Sequence, residues 1–329
     1  MRRSIALVVA AFTVALAALA GLGHAQPVKL RLGLLPLALH QLPVMVAKEK
    51  GFYQMEGLDV DFTIFKGGSE VAPALLNGNI DVAQGVVAHP IKLLEKGFKT
   101  KILVLTQATP TFVLAMAKKH AALKDLGDFR GKNFKIAIAR RGSDSDMMMR
   151  AALAWKKLDP ERDVALVQLA SYANHLTAIE NGDVDGAMIL EPFATIGERK
   201  GILVPLLDFA QGGGPAELRD RPWTSLYVTE SFYNDKRDVV HGLVRATVRG
   251  HQFIQQNLDE ASAIAHKQFP AFDAAVLRAV IGRTRGAYSP ALTKERFEAE
   301  NTYLIFGGII KVRQPYEQIV ATDLRDLWK

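Results

Sequence analysis

One eight-residue pattern occurs twice in this chain. Leu76-Asn77-Gly78-Asn79-Ile80-Asp81-Val82-Ala83 is echoed by Glu180-Asn181-Gly182-Asp183-Val184-Asp185-Gly186-Ala187. In each copy an Asn-Gly pair, which tolerates a left-handed backbone, ends a short helical pattern and turns the chain straight into an apolar strand. Serines mark the two helix starts, Ser69 and Ser171, and each strand runs into a loop that holds a proline, Pro90 or Pro192. Two such strand-helix-strand units in one chain predict two similar lobes.

The flanking sequence agrees. Short apolar runs alternate with longer helical patterns, the signature of α/β units around a largely parallel sheet. Strands are expected at Val28 to Leu35, Leu58 to Phe65, Ile80 to Ala83, Thr111 to Lys118, Lys135 to Ala139 and Trp223 to Thr229. Helices are expected at Leu42 to Lys50, closed by Gly51, at Glu70 to Leu76, capped by Ser69, and from the Gly142 loop to Trp155. The apolar spacing of Val239 to Ile254 and Ala274 to Ile281 reads as amphipathic helices packed on the first lobe. The chain is expected to cross between lobes near Thr111 and Trp223, giving residues 28–112 plus 232–329 as one lobe and 113–231 as the other.

The N-terminus carries Arg2 and Arg3, an apolar stretch from Ile5 to Leu22, and Gly23-His24-Ala25 ahead of Gln26-Pro27. This is the charged, apolar and small-residue order of a cleavable export signal over residues 1–25. A membrane anchor is the competing reading, since 18 apolar residues could just span a bilayer. Small, Ala-rich residues insert poorly and a cleavage site follows, which favours the signal. The chain has no cysteine, so it forms no disulfide and offers no thiol for a lipid tether. It is expected free in the periplasm of a two-membraned bacterium.

Lys and Arg number 41 against 34 Asp and Glu, a formal charge of +7. They are interspersed rather than clustered with aromatics, which argues against a nucleic-acid partner. The modest positive field favours an anionic ligand.

In open α/β sheets, ligands bind beyond the carboxyl ends of the strands. Five loops there supply candidate ligand-binding residues. The first holds Leu37, His40 and Gln41. Next comes Lys66-Gly67-Gly68-Ser69, whose glycines admit close backbone approach and whose helix start presents donors. A third loop, Val86 to His89, includes Val87 and His89, and both histidines titrate near neutrality when unperturbed. Gly142-Ser143-Asp144-Ser145-Asp146 opens a helix with amides and hydroxyls suited to an anion, although its two aspartates repel an anion or attract an amine. Glu191-Pro192, in register with the Gly85 to Pro90 loop, puts a carboxylate at the cleft mouth. Tyr172, Phe193 and Trp223 are candidate aromatic walls. Each of these residues has an ordinary structural role open to it as well, as a cap, a turn, a surface histidine or core packing.

Leu30-Arg31-Leu32-Gly33, Ala47-Lys48-Glu49-Lys50-Gly51-Phe52-Tyr53, Glu56-Gly57-Leu58-Asp59-Val60, Gly67-Gly68-Ser69, Asn77-Gly78-Asn79-Ile80-Asp81, Leu126 to Lys132, Gly142-Ser143 and Glu191-Pro192 form one constellation. It resembles the nitrate-, sulfonate- and taurine-type substrate-binding proteins of ABC importers, a superfamily that includes binders of thiamine pyrimidine precursors. The resemblance spans nearly the whole chain after the signal. It implies a two-lobed, periplasmic-binding-protein-like (type II) fold that closes on its ligand, with strand-end loops of both lobes as contacts. It also implies a small-molecule ligand and a membrane permease as partners, a monomer, and no cofactor. Asp144 and Asp146 depart from the uncharged helix start of sulfonate binders, which puts a simple inorganic or sulfonate anion in question.

The reading that follows is a solute-binding protein for a small polar organic solute, with a thiamine pyrimidine precursor or similar heterocycle as the alternative. The rival class is an enzyme on the same fold, a lyase or hydrolase using Asp144, Asp146, Glu191 or His89. No nucleophile elbow, metal-ligand cluster, phosphate loop or dinucleotide glycine pattern supports it. A sensor subunit would share the fold and be inseparable by sequence.

Overall fold

The computed structural model describes residues 26–35, 38–65 and 68–329. The export segment expected over residues 1–25 lies outside them, as do the candidate residues Leu37, Lys66 and Gly67. Among the described residues, no helix is long and apolar enough to cross a membrane.

Alternation and β-branched runs produce ten strands among the described residues. These are β1 (Val28–Leu34), β2 (Leu58–Ile64), β3 (Val82–Val86), β4 (Thr100–Gln107), β5 (Phe112–Ala117), β6 (Phe134–Ile138), β7 (Val164–Gln168), β8 (Gly186–Leu190), β9 (Leu203–Asp208) and β10 (Thr224–Thr229). They form two sheets of the same design, in the orders β2-β1-β3-β10-β4 and β7-β6-β8-β5-β9. In the first sheet β1 runs parallel to β2 and β3, and β10 is antiparallel to both its neighbours. In the second, β6 runs parallel to β7 and β8, and β5 is the antiparallel strand. Each sheet is mixed and mostly parallel, and helices cover its faces, as buried crossover connections require.

The echoed motif is a repeated structure. The helices Gly68–Leu76 and Tyr172–Asn181 precede glycines with φ of +70° at Gly78 and +80° at Gly182. Asn79 N–H donates to Ala74 O at 2.9 Å, and Asp183 N–H donates to Ala178 O at 2.9 Å. Ser171 caps the second helix, accepting from Ala173 N–H. Ser69, expected as the cap of the first, falls inside the helix.

The division at residue 231 needs correction. β10 is hydrogen-bonded within the first sheet, so the return crossing lies in residues 209–223, ahead of it. An apolar run marks a strand but does not name its partner. The first crossing, residues 108–111, links β4 to β5. The long helix Arg237–Gln256 packs on Leu42–Glu49, and the helices Ala274–Thr284 and Lys294–Phe306 reach from the first lobe to the second, where their side chains meet the cleft.

Candidate functional site

A cavity of about 170 Å³ opens between the sheets. Val86, Ala88, His89 and Lys92 line it from the end of β3 and the helix after it. Gly142, Asp144 and Met147 line it from the second lobe, Arg221 and Trp223 from the return crossing, and Glu300, Leu304 and Ile309 from the C-terminal region. A larger, mainly apolar groove of about 670 Å³ shares His89 and Lys92 with it, but draws every lining residue from the first lobe.

A buried ion cluster forms one wall. Arg221, 3 % exposed, donates to Glu300 Oε2 at 2.9 Å and to Asp144 Oδ1 at 3.0 Å. Its guanidinium lies 3.9 Å from the centre of the Tyr303 ring, and the Tyr303 hydroxyl donates to the same Asp144 oxygen at 3.0 Å. One arginine on the crossing therefore ties the second lobe's Asp144 to the first lobe's Glu300. Burial pushes the Glu300 carboxyl up to about 7 against the pull of Arg221, with nearby Asp144 adding to the rise.

Three polar atoms on the lining residues have no partner among the described residues: His89 Nδ1, Arg221 Nε and Trp223 Nε1. Buried polar groups are normally satisfied, and these three unmet atoms belong to residues that line one cavity. Burial, helped by Lys92 and opposed by Asp144, drops the His89 imidazole to about 4, so it is neutral at physiological pH. Gly85 makes room for it: a side chain there would lie 2.8 Å from His89 Nδ1 and 3.0 Å from the Tyr227 ring.

The helix Asp144–Trp155 begins where an anion cradle was expected, but its donors are largely used. Asp146 accepts from Gly142 N–H at 2.8 Å and from Arg150 Nε at 2.8 Å. Ser143 Oγ donates to Arg140 O at 2.7 Å, and Ser145 Oγ accepts from Ala139 N–H at 2.9 Å. A carboxylate two residues into the helix reaches back to the loop and fills the place of a bound anion. Of these five residues, Gly142 and Asp144 reach the cavity.

Glu191, expected at the cleft mouth, is buried, with 6 % exposed. It accepts from Thr195 N–H at 3.1 Å and Thr195 Oγ1 at 3.0 Å, and lies 3.7 Å from Arg283. Burial raises its carboxyl above the usual range, opposed by Thr195 and Arg283. Arg283 also donates to Glu198 at 2.8 Å and to Asp208 at 2.6 Å, a second tie between the lobes. Pro192 follows Glu191 and leads into the helix Phe193–Arg199.

Gln41 is fully buried and braces its own loop, donating to Leu35 O at 2.7 Å and accepting from Ala38 N–H at 2.9 Å. His40 Nε2 has no partner among the described residues, and burial lowers that imidazole to about 4. Neither residue lines the cavity. Val87 is buried and donates its N–H to Trp223 O at 2.9 Å. Tyr172 meets Phe112 edge-on at 6.1 Å and Phe193 at 6.3 Å, and Phe112 meets Trp223 at 5.2 Å, one connected row of rings of which Trp223 lines the cavity while Tyr172 and Phe193 stand outside its lining. Gly68 and Ser69 start the helix Gly68–Leu76.

Sequence reasoning passed over Lys92, Arg221 and Glu300. Glu300 had a signal: Phe297, Glu300, Asn301 and Leu304 sit at i, i+3, i+4 and i+7, a helical stripe that should be apolar throughout. Among the described residues no group of His, Asp and Glu is arranged to hold a metal ion.

The profile of the NMT1-like family matches residues 23–267. The candidate binding protein YtlA of Bacillus subtilis (strain 168) is 26 % identical over 292 residues, covering 86 % of this chain and 85 % of that protein. Two solved structures share the fold at 17 % identity. The periplasmic aliphatic sulphonate binding protein SsuA from Escherichia coli matches with a TM-score of 0.74, covering 91 % of this chain and 99 % of that one. The periplasmic nitrate-binding protein NrtA from Synechocystis PCC 6803 matches with a TM-score of 0.67, covering 91 % and 88 %. The two-lobed, periplasmic-binding-protein-like architecture expected from the sequence is thus the architecture of this chain, which belongs to the NMT1-like family.

Proposed function

We propose that this protein is the periplasmic solute-binding component of an ABC import system, capturing a small polar organic solute and handing it to a membrane permease. The single observation that carries this reading is the inter-lobe cavity with three unpartnered polar atoms, His89 Nδ1, Arg221 Nε and Trp223 Nε1. The names of the relatives point the same way. A ligand seated there touches both lobes at once, and so stabilises the closed arrangement over an open one. Contacts that opening would break include the ties from Asp144 to Arg221 and Tyr303 and from Arg283 to Glu198 and Asp208.

The experiment is a thermal-shift screen over acids, sulfonates, nitrate, amino acids, amines and pyrimidines, with each stabilising compound recovered and identified by mass. A binder is stabilised by RT ln(1 + [L]/Kd), and its ligand returns unchanged. Recovery of a converted product would replace the binding reading with a catalytic one.

A further inference from the structure

Apart from His89 Nδ1, which donates or accepts according to its tautomer, the free hydrogen-bonding capacity of the inter-lobe cavity lies with donors. An indole N–H, a guanidinium and an ammonium are donors only. Trp223 Nε1 and Arg221 Nε are unpartnered, on residues that are 8 % and 3 % exposed. Lys92 forms no ion pair among the described residues. The acceptors on the same wall are already engaged: Asp144 by Arg221 and Tyr303, Glu300 by Arg221. A ligand ammonium would find no free carboxylate there, while a ligand with exposed oxygens would satisfy donors that otherwise stay unmet.

Size and polarity narrow the class. An apolar cavity of about 150 Å³ accepts benzene, so about 170 Å³ holds about six to eight non-hydrogen atoms. Val86, Met147, Leu304 and Ile309 give it apolar walls. The Arg221 guanidinium lies 5.6 Å from the centre of the Trp223 ring, so the two residues can offer a donor each to the two oxygens of a planar carboxylate, and Lys92 supplies a balancing charge. A tetrahedral sulfonate of equal chain length adds an oxygen with no fixed donor and takes room from the tail.

Resting on the reading of this cavity as the ligand site, we infer that the solute is a short-chain monocarboxylate. Its carboxylate meets Trp223, Arg221 and Lys92, and its tail lies against Met147 and Leu304.

The test is calorimetric titration of the full exported chain with butanoate, pentanoate and hexanoate, against pentylamine, 5-aminopentanoate and butane-1-sulfonate. The acids are expected to bind, with the amine and the amino acid about 100-fold weaker or undetectable. Trp223→Phe keeps the ring packing and removes only the N–H. Lys92→Met removes an exposed charge. Each is expected to weaken pentanoate about tenfold with melting temperature preserved.

Equal or tighter binding of the amine, the amino acid or the sulfonate overturns the inference, as does failure of every acid to bind. Pentanoate affinity unchanged in both variants overturns the placement. A compound of another class whose binding Trp223→Phe weakens would sink the carboxylate while upholding the cavity as the ligand site.

Discussion

Asp81 and Asp185 hold the same station in their respective sheets. Asp81 accepts the N–H of Arg31 on β1 at 2.8 Å, and Asp185 accepts the N–H of Lys135 on β6 at 3.1 Å. The rest of each carboxylate is met differently, by the Arg31 guanidinium at 2.7 Å in one lobe and by His120 at 2.9 Å and Lys119 at 3.3 Å in the other. Burial pushes both carboxyls up, and these partners outweigh it, holding both below the usual range. A depressed carboxyl contributes stability above its unfolded pKa and loses it as pH falls through its folded one. Asp81→Asn and Asp185→Asn are each expected to cost about 1 kcal/mol at pH 7. Urea titrations should show that cost shrinking as pH falls below about 4.

Arg221 neutralises two carboxylates in a buried place. Replacing it with Met leaves Glu300, 1 % exposed, without its cationic partner. Removing one member of a buried pair costs about 3–5 kcal/mol. Denaturant unfolding should report a loss of that size for Arg221→Met, and partial recovery in Arg221→Met/Glu300→Leu. A single-variant loss below about 1 kcal/mol would show the cluster to be energetically idle.

Glu300 also sets a pH dependence of the opposite sign to the aspartates. Arg221, Asp144 and Tyr303 face it. Its carboxyl is raised to about 7 in the folded state, so the folded protein holds that proton more tightly than the unfolded chain. The stability it brings is complete below the unfolded pKa and fades as pH rises through 7, with a slope of at most about 1.4 kcal/mol per pH unit. Glu300→Gln is expected to flatten the difference in stability between pH 5 and pH 8. An unchanged slope would assign the dependence to another group.

Two glycines in helices should respond to alanine with opposite signs. A side chain at Gly250 would lie 2.2 Å from Pro43 O, backbone of the helix packed against it. That overpacking costs about 1–3 kcal/mol and outweighs the gain in helix propensity. At Gly282 the nearest atom is a Leu258 methyl at 3.4 Å, an ordinary contact. Gly282→Ala is expected to gain up to about 1 kcal/mol. Thermal melts of the two variants settle the signs.

The parts of this fold legible in the sequence are those with local causes. Asn77-Gly78 and Asn181-Gly182 turn helix into strand wherever they stand, and both turns formed. The helix ending at Trp155 was readable from its loop and its spacing. Partners were not readable. Thr224–Thr229 reads as a strand from its apolar run, but its place between β3 and β4 depends on residues more than a hundred positions away. Glu191 looks like a carboxylate beyond a strand end, and it turns inward because Thr195 one helical turn on and Arg283 from a distant helix both meet it. The cavity wall was missed for the same reason. Arg221, Glu300 and Lys92 come from three separate stretches of chain, and only folding puts them side by side.

The exchange of antiparallel strands bears on how the chain is made. Strands β3 and β4 of the first sheet do not pair with one another; β10 stands between them. A chain folding from its N-terminus therefore carries a sheet with a gap between β3 and the edge strand β4, and cannot close it until Thr224–Thr229 is available. Pairing that waits on contacts so distant in sequence is slow. The molecule is thereby kept from finishing its first lobe until most of the second has already been synthesised.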